Sequence, residues 1–346
     1  MTLTVTPVVG IPEVQRGDDL AGLIASALAA SGVTVEEGDV LVVSSKVASK
    51  ALGLTASCTH RESVVADESE WVVAERVSAG RLTRVVKAKA GPVMAAAGVD
   101  ASNTGRAGRL LLLPRDPDAV CRELHARLRR TFALARLGII LSDTAGRPWR
   151  TGQTDFALGA FGIEVTDDLR GGLDADGRPL EVTARAVADE LAAAADLVKG
   201  KADGVPVAHV RGLGHAVLAG RADMPGGRSL VRTGPSDWFG HGRAEAVRAS
   251  LGVEPGSGLA ERIGIADAGP EPLATRLGRA VATAIHELPD VGVDIGCGDV
   301  VVSGEDPFDV GVAVGRLGVA LWGEWLAGRV TDRAAGSVRI RVTSRL

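Results

Sequence analysis

Residues 138–153 read Gly138-Ile139-Ile140-Leu141-Ser142-Asp143-Thr144-Ala145-Gly146-Arg147-Pro148-Trp149-Arg150-Thr151-Gly152-Gln153. The first part is a short apolar run that closes on turn residues, the pattern of a buried strand. A buried strand ending in a carboxylate and a hydroxyl carries both to the rim of a sheet, where α/β proteins place ligands. Asp143 and Thr144 make a hard-oxygen pair suited to Mg2+ or Mn2+. Arg147 and Arg150, with Trp149 between them, suit an anionic substrate that has a flat ring. The plainer reading is that Asp143 caps a turn and the arginines are solvated.

Upstream, Val40 to Val43 repeats the short buried-strand pattern and runs into Ser44, Ser45, Lys46, Ser49 and Lys50. If that segment is helical, the two lysines share a face. A strand end, a helix N-terminus, hydroxyls and lysines together suit a phosphate. No Gly-x-x-x-x-Gly-Lys-Ser/Thr run occurs, so this is not a P-loop; ordinary surface lysines are the alternative. Asp100, Ser102 and Asn103 form a third polar cluster, for which a plain Asx turn competes. Lys199-Gly200-Lys201 ends an alanine-rich helix, where lysines either cap the dipole or reach a triphosphate.

Around these clusters the periodicity predicts a strand from Val5 to Ile11 and a helix from Leu20 to Ala30, capped by Asp18 or Asp19. Further expectations are a helix from Ser69 to Ala79, strands at Leu82–Val86 and Leu110–Leu113, and a helix from Pro117 to Phe132 behind Asp116. Strands at Phe156–Val165 and Leu180–Val182, a helix from Thr183 to Lys199 and a strand at Val205–Val210 follow. The character changes near Asp237-Trp238-Phe239. We expect a catalytic domain over residues 1–245 and a small α+β domain of unknown role over 246–346.

With 346 residues and a net charge of -4, the chain has no basic excess for nucleic acid. No apolar run reaches membrane-spanning length, and the N-terminus lacks a signal-peptide pattern. Cys58, Cys121 and Cys297 are scattered without metal spacing, which suggests reduced thiols in the cytoplasm.

Taken together, the motifs resemble the coenzyme F420-0:L-glutamate ligases, also called F420 gamma-glutamyl ligases. The matching segments are Gly10-Ile11-Pro12-Glu13, Gly17-Asp18-Asp19, Gly38-Asp39 through Lys46 with Ser49-Lys50, Ala97-Gly98-Val99-Asp100 with Ser102-Asn103, and Leu113 to Asp118. Ser142 to Arg150 with Gly152-Gln153, Asp168 to Gly171, and Ala188 to Ala192 complete them. They keep family order over roughly residues 8 to 245.

The resemblance implies an α+β, mixed-sheet fold and a homodimer. It also implies a ligase that uses GTP to add L-glutamate, and then γ-linked glutamates, to coenzyme F420-0 through an acyl phosphate. Carried over by motif, Asp100 and Asp143 are candidate ligands of one divalent metal, Mg2+ or Mn2+, and Thr144 of a second; K+ is a further candidate ion. Ile11, Pro12, Glu13, Val14, Ser45, Lys46, Lys50 and Asn103 correspond to nucleotide contacts, as do Lys199, Gly200 and Lys201 in the remaining loop. Asp143 and Lys50 are the candidate catalytic residues, and Arg147 and Arg150 our own candidates for the substrate's phosphodiester or carboxylate. One departure stands out: where some relatives have a metal-ligating Gln, this chain has Lys201, and a protonated lysine cannot ligate a metal. Some relatives append a flavin-dependent domain, but the residues after 245 are too few for a complete one, so no FMN is expected. The competing readings are a GTP-dependent ligase for another phosphorylated carboxylic acid and a non-catalytic GTP-binding protein.

Overall fold

In the computed structural model the two apolar runs, β2 (Val40–Ser44) and β8 (Gly138–Arg147), lie side by side and parallel, with Ser44 level with Ser142. The structure describes residues 2–345 except 79–80, 103–107, 201–202, 222, 234–236, 240–241, 255, 265–270 and 297. Two compact units divide between Val231 and Arg232.

The remaining elements of the first unit are β1 (Thr4–Val8), α1 (Leu20–Ala30), α2 (Ser45–Leu52), β3 (Thr55–Ser57), α3 (Arg61–Asp67), β4 (Ser69–Ser78), β5 (Arg81–Ala88) and β6 (Val93–Ala95). There follow β7 (Arg109–Leu111), α4 (Pro117–Phe132), β9 (Arg150–Phe161), β10 (Asp167–Asp168), β11 (Ala184–Arg185), α5 (Val187–Lys199) and β12 (Val207–Arg211). The main sheet has the order β1-β12-β2-β8-β9 and is mixed, only β2 and β8 being parallel.

Both faces of this sheet are covered, which is why Val40–Val43 of β2 and Gly138–Leu141 of β8 are continuously apolar instead of alternating. Leu41, Val43, Ile139 and Leu141 pack with α1 and α4 through Ile24, Leu28, Cys121 and Leu128. Val40, Val42 and Ile140 pack on the other face with Leu191, Ala192 and Ala195 of α5. Gly159 on β9 permits this layering, because a Cβ there would stand 2.5 Å from the backbone carbonyl carbon of Pro117 at the start of α4. The expected caps are present: Asp19 accepts from the amide of Gly22, and Asp116 from that of Ala119, with Pro117 at the first helical position.

Four sequence expectations need correction. Ser69–Ala79 is not helical: Ser69–Ser78 is a strand paired with β5, and two register shifts blur the period-2 pattern that would have revealed it. Leu180–Val182 is not a strand, and the helix expected from Thr183 starts at Val187, after Ala184–Arg185 pairs with β10. The hairpin partner of β8 begins at Arg150, not Phe156, because its first half is polar and exposed.

At the edge away from the strand ends that carry Ser44 and Ser142, buried Asp39 accepts from His209 Nε2 (2.7 Å), Arg211 Nε (2.9 Å), an Arg211 terminal nitrogen (2.7 Å) and the amide of Glu36 (2.7 Å). Burial, the largest influence, pushes this carboxyl up, but Arg211, His209 and the Glu36 amide outweigh it and hold it well below the usual range. The resulting stability is present above about pH 4 and is lost as pH falls towards the depressed folded value. We expect Asp39→Ala to destabilise the first unit by about 3–5 kcal/mol at pH 7, because it strands buried donors. Denaturant melts check this, and the difference between variant and wild type should shrink below pH 4.

The second unit comprises α6 (Gly242–Ser250), α7 (Gly258–Ile263), α8 (Leu273–Ile285), β13 (Val291–Ile295), β14 (Asp299–Gly304), α9 (Pro307–Gly323), β15 (Leu326–Ala334) and β16 (Ser337–Ser344). Its antiparallel sheet runs β13-β14-β16-β15, and Val300, Val302 and Ile340 meet Leu277 of α8 and Leu317 and Leu321 of α9. The helix Gly242–Ser250, which a boundary at 245 would cut, lies wholly within this unit.

Candidate active site

Beyond Ser142, β8 loses its parallel neighbour, because β2 ends at Ser44 and the chain turns into α2. The β8–β9 register also shifts between Leu141 and Ser142. Bulges of this kind re-aim side chains beside active sites. From there on, Asp143 and Thr144 face the rim left by β2; the strand expected to end at them runs on to Arg147, paired with β9, so the end of the parallel pairing, not a strand end, exposes them.

Two cavities open at that rim. The first, about 610 Å³, is lined by the loop Ile11-Pro12-Glu13-Val14, by Ser44, Lys46, Val47 and Lys50 around the start of α2, and by Ser142, Asp143, Thr144 and Asp155. Asp196, Lys199 and Gly200 at the end of α5, with Gly204, Val205 and Pro206, close it. The second, about 540 Å³, extends past Asp100, Ser102, Gly146 and Gln153 to Arg61 and Arg84. Lys46, Asp143 and Thr144 line both.

Asp143 Oδ1 accepts from Ser45 Oγ at 2.9 Å, so Ser45 holds the carboxylate from behind and lines neither cavity itself. Burial is the main cause that pushes Asp143 up to about 6; the Ser45 and Thr144 hydrogen bonds oppose it, and the nearby Asp155 carboxylate adds to it. Asp100 is fixed by backbone bonds to Leu111, and its carboxylate accepts from the amide of Ser102 (2.7 Å) and from Lys46 Nζ (2.6 Å). The Asx-type turn is therefore real, and the same carboxylate also faces a lysine. Burial pushes Asp100 up, but Lys46 and Ser102 outweigh it and leave it lowered. Lys50 Nζ meets Glu13 at 2.6 Å.

Sequence reading missed the pin at the back of the first cavity. Asp155 stands opposite Thr144 across the hairpin and accepts from Thr144 Oγ1 (2.5 Å) and Ser142 Oγ (2.9 Å). Lys199, 3% exposed, donates to Asp155 (2.7 Å) and Ser142 (2.6 Å). Burial raises Asp155, and Lys199 with the two hydroxyls outweighs it, so the carboxyl is lowered. Lys199 thus holds the cavity wall, and its ammonium is already engaged by two partners. The signal for Asp155 was its distance from the Arg147–Arg150 turn, usable only if the polar stretch from Arg150 is read as a strand.

Arg147 and Arg150 stand at the exposed hairpin tip with Trp149, which is 84% exposed, and they line neither cavity. Asn103 and Lys201 lie outside the described residues. Among the described residues no three His, Cys, Asp or Glu side chains group closely enough to hold a metal ion. No described helix is long and apolar enough to cross a membrane.

The family model of the F420-0:gamma-glutamyl ligases matches residues 9–212. The chain belongs to the F420-0:gamma-glutamyl ligase family. It is 41% identical over 239 residues to the coenzyme F420:L-glutamate ligase of Archaeoglobus fulgidus, covering 65% of this chain and 92% of that protein. The ligase of the same name from Methanopyrus kandleri is 39% identical over 232 residues, covering 61% and 88%. That from Halobacterium salinarum is 39% identical over 223 residues, covering 58% and 84%. The part matched to the gamma-glutamyl ligase family lies inside the first unit and contains both cavities.

Proposed function

We propose that the protein is a coenzyme F420-0:L-glutamate ligase of F420 biosynthesis that uses GTP, has the fold of its family and works as a homodimer. The observation that carries this reading is the junction: two cavities share Lys46, Asp143 and Thr144 just past the end of the parallel pairing of β2 with β8. A ligase must bring a nucleotide's terminal phosphate and an acceptor carboxylate together at one point, out of bulk water.

In this reading the nucleotide occupies the first cavity. The N-terminal turn of α2 favours anions through its dipole, and Lys46 and Lys50 add positive charge. Lys46 pairs with Asp100 and Lys50 with Glu13. The acceptor's carboxylate oxygen attacks the γ-phosphorus and GDP leaves, giving an acyl phosphate. The α-amine of L-glutamate, having lost a proton, then attacks the carbonyl carbon; phosphate leaves and the amide forms. Further γ-linked glutamates would repeat these steps.

The donor set fits Mg2+ or Mn2+. Asp143 and Asp100, which both line the second cavity, would supply carboxylates and Thr144 a hydroxyl, and a bound cation would oppose the burial that pushes the Asp143 carboxyl up. A site with one or two carboxylates, completed by water and phosphate oxygens, is how Mg2+ is usually held beside nucleotides. Such an ion, when bound, would screen the repulsion between the phosphates and the incoming carboxylate.

The test is to incubate the protein with coenzyme F420-0, GTP, Mn2+ and L-glutamate and to look by mass spectrometry for glutamyl addition. The expected result is one or more added glutamates with matching release of GDP. An unmodified coenzyme with GTP untouched would overturn the reading, and GTP binding without turnover would favour a binding protein.

A further inference from the structure

We infer that Arg61, which lines the second cavity, is a specificity-determining contact for an anionic group of the acceptor acid. The inference rests on the ligase reading above.

Among the described residues the cavity shares Lys46, Asp143 and Thr144 with the nucleotide cavity, so a carboxylate at that end would lie beside the reacting phosphate. Its size, about 540 Å³, is within the ordinary range for small-molecule sites. Its walls include Val65, Leu82, Met94 and Val99, apolar surface that would cover a ligand's carbon framework. Two guanidinium groups complete it. Arg84 donates through Nε to Glu75 at 2.7 Å, which neutralises it. Arg61, exposed at the start of α3, donates from a terminal nitrogen to the carbonyl of Val99 at 3.3 Å. Among the described residues no carboxylate lies in ion-pair range of Arg61. An arginine tethered at a cavity wall, without a counter-ion, suits an anionic group of the ligand. Arg147 and Arg150 line no part of this cavity.

Arg61→Ala and Arg61→Lys test the assignment by steady-state kinetics and by calorimetric titration with the acceptor acid alone. Arg61→Ala should raise the acceptor's KM and Kd by about 10–100-fold, the loss typical of a charge-assisted contact, and change the KM for GTP by less than about 2-fold. Arg61→Lys should recover part of the acceptor affinity. Unchanged acceptor affinity in a folded Arg61→Ala protein, with the wild type active, would overturn this inference and leave the ligase reading intact. Equal losses for GTP and acceptor would also overturn it, showing that Arg61 only supports the fold. An inactive wild type that binds neither compound would instead fail the ligase reading.

Discussion

Asp143→Asn is expected to lower glutamyl addition by roughly 10²–10³-fold or more while the protein stays folded. The substitution keeps size and shape, and an Asn carbonyl can still accept from Ser45 Oγ, which stands 2.9 Å from Asp143 Oδ1. What it removes is the negative charge at the junction of the cavities. The opposite sign is expected for stability. The folded carboxyl titrates near 6 instead of 3.8, so it favours folding only while protonated, and that contribution is lost as pH rises from about 4 through about 6. Metal-free Asp143→Asn should therefore be more stable than metal-free wild type at pH 7, on the order of 3 kcal/mol, and nearly equal below pH 4. Single-turnover assays and denaturant melts in chelator measure the two effects. A folded variant with unchanged rate would remove Asp143 from the site.

Asp155→Ala is expected to cost about 3–5 kcal/mol of stability and most of the activity. The loss leaves the Lys199 ammonium in a pocket where it is 3% exposed, and it releases Ser142 and Thr144, both of which Asp155 holds. A double change, Asp155→Ala with Lys199→Met, should recover much of the stability, because it removes both charges, but none of the activity, because Thr144 stays unheld. Since Asp155 is lowered in the folded state, its contribution exists above about pH 4 and fades as pH falls below that. Thermal melts of the single and double variants at pH 7 and pH 3 are the measurement. Independent, additive losses would mean that the pair does not act as a unit.

The contrast between Asp143 and Asp155 shows how far the sequence could be read. Asp143 follows an apolar run, and the change from apolar to polar residues marks where the cover of β2 stops, although β8 itself runs on to Arg147. Lys46 and Lys50 were legible for the same reason, through the run at Val40–Val43. Asp155 follows a polar, exposed stretch that carries no hydrophobic period, and its importance comes from cross-strand register with Thr144. Arg61 has no local signature; only the tertiary fold brings α3, β5 and the turn before Asp100 around one cavity. The misread segment Ser69–Ser78 belongs to that same region, and its two register shifts hid the strand pattern.

By itself, the sequence determined which strands are buried on both faces, where helices α1 and α4 begin, and the residue types fit for cations and phosphates. These follow from local composition and period, which need no partner. Only the tertiary structure decided that Lys199 pins a wall, that Ser45 works from behind Asp143, that the Arg147–Arg150 tip stands clear of both cavities, and that two cavities meet at Asp143. Those facts depend on strand register and on which loops converge, and distant contacts of that kind leave no periodic trace along the chain.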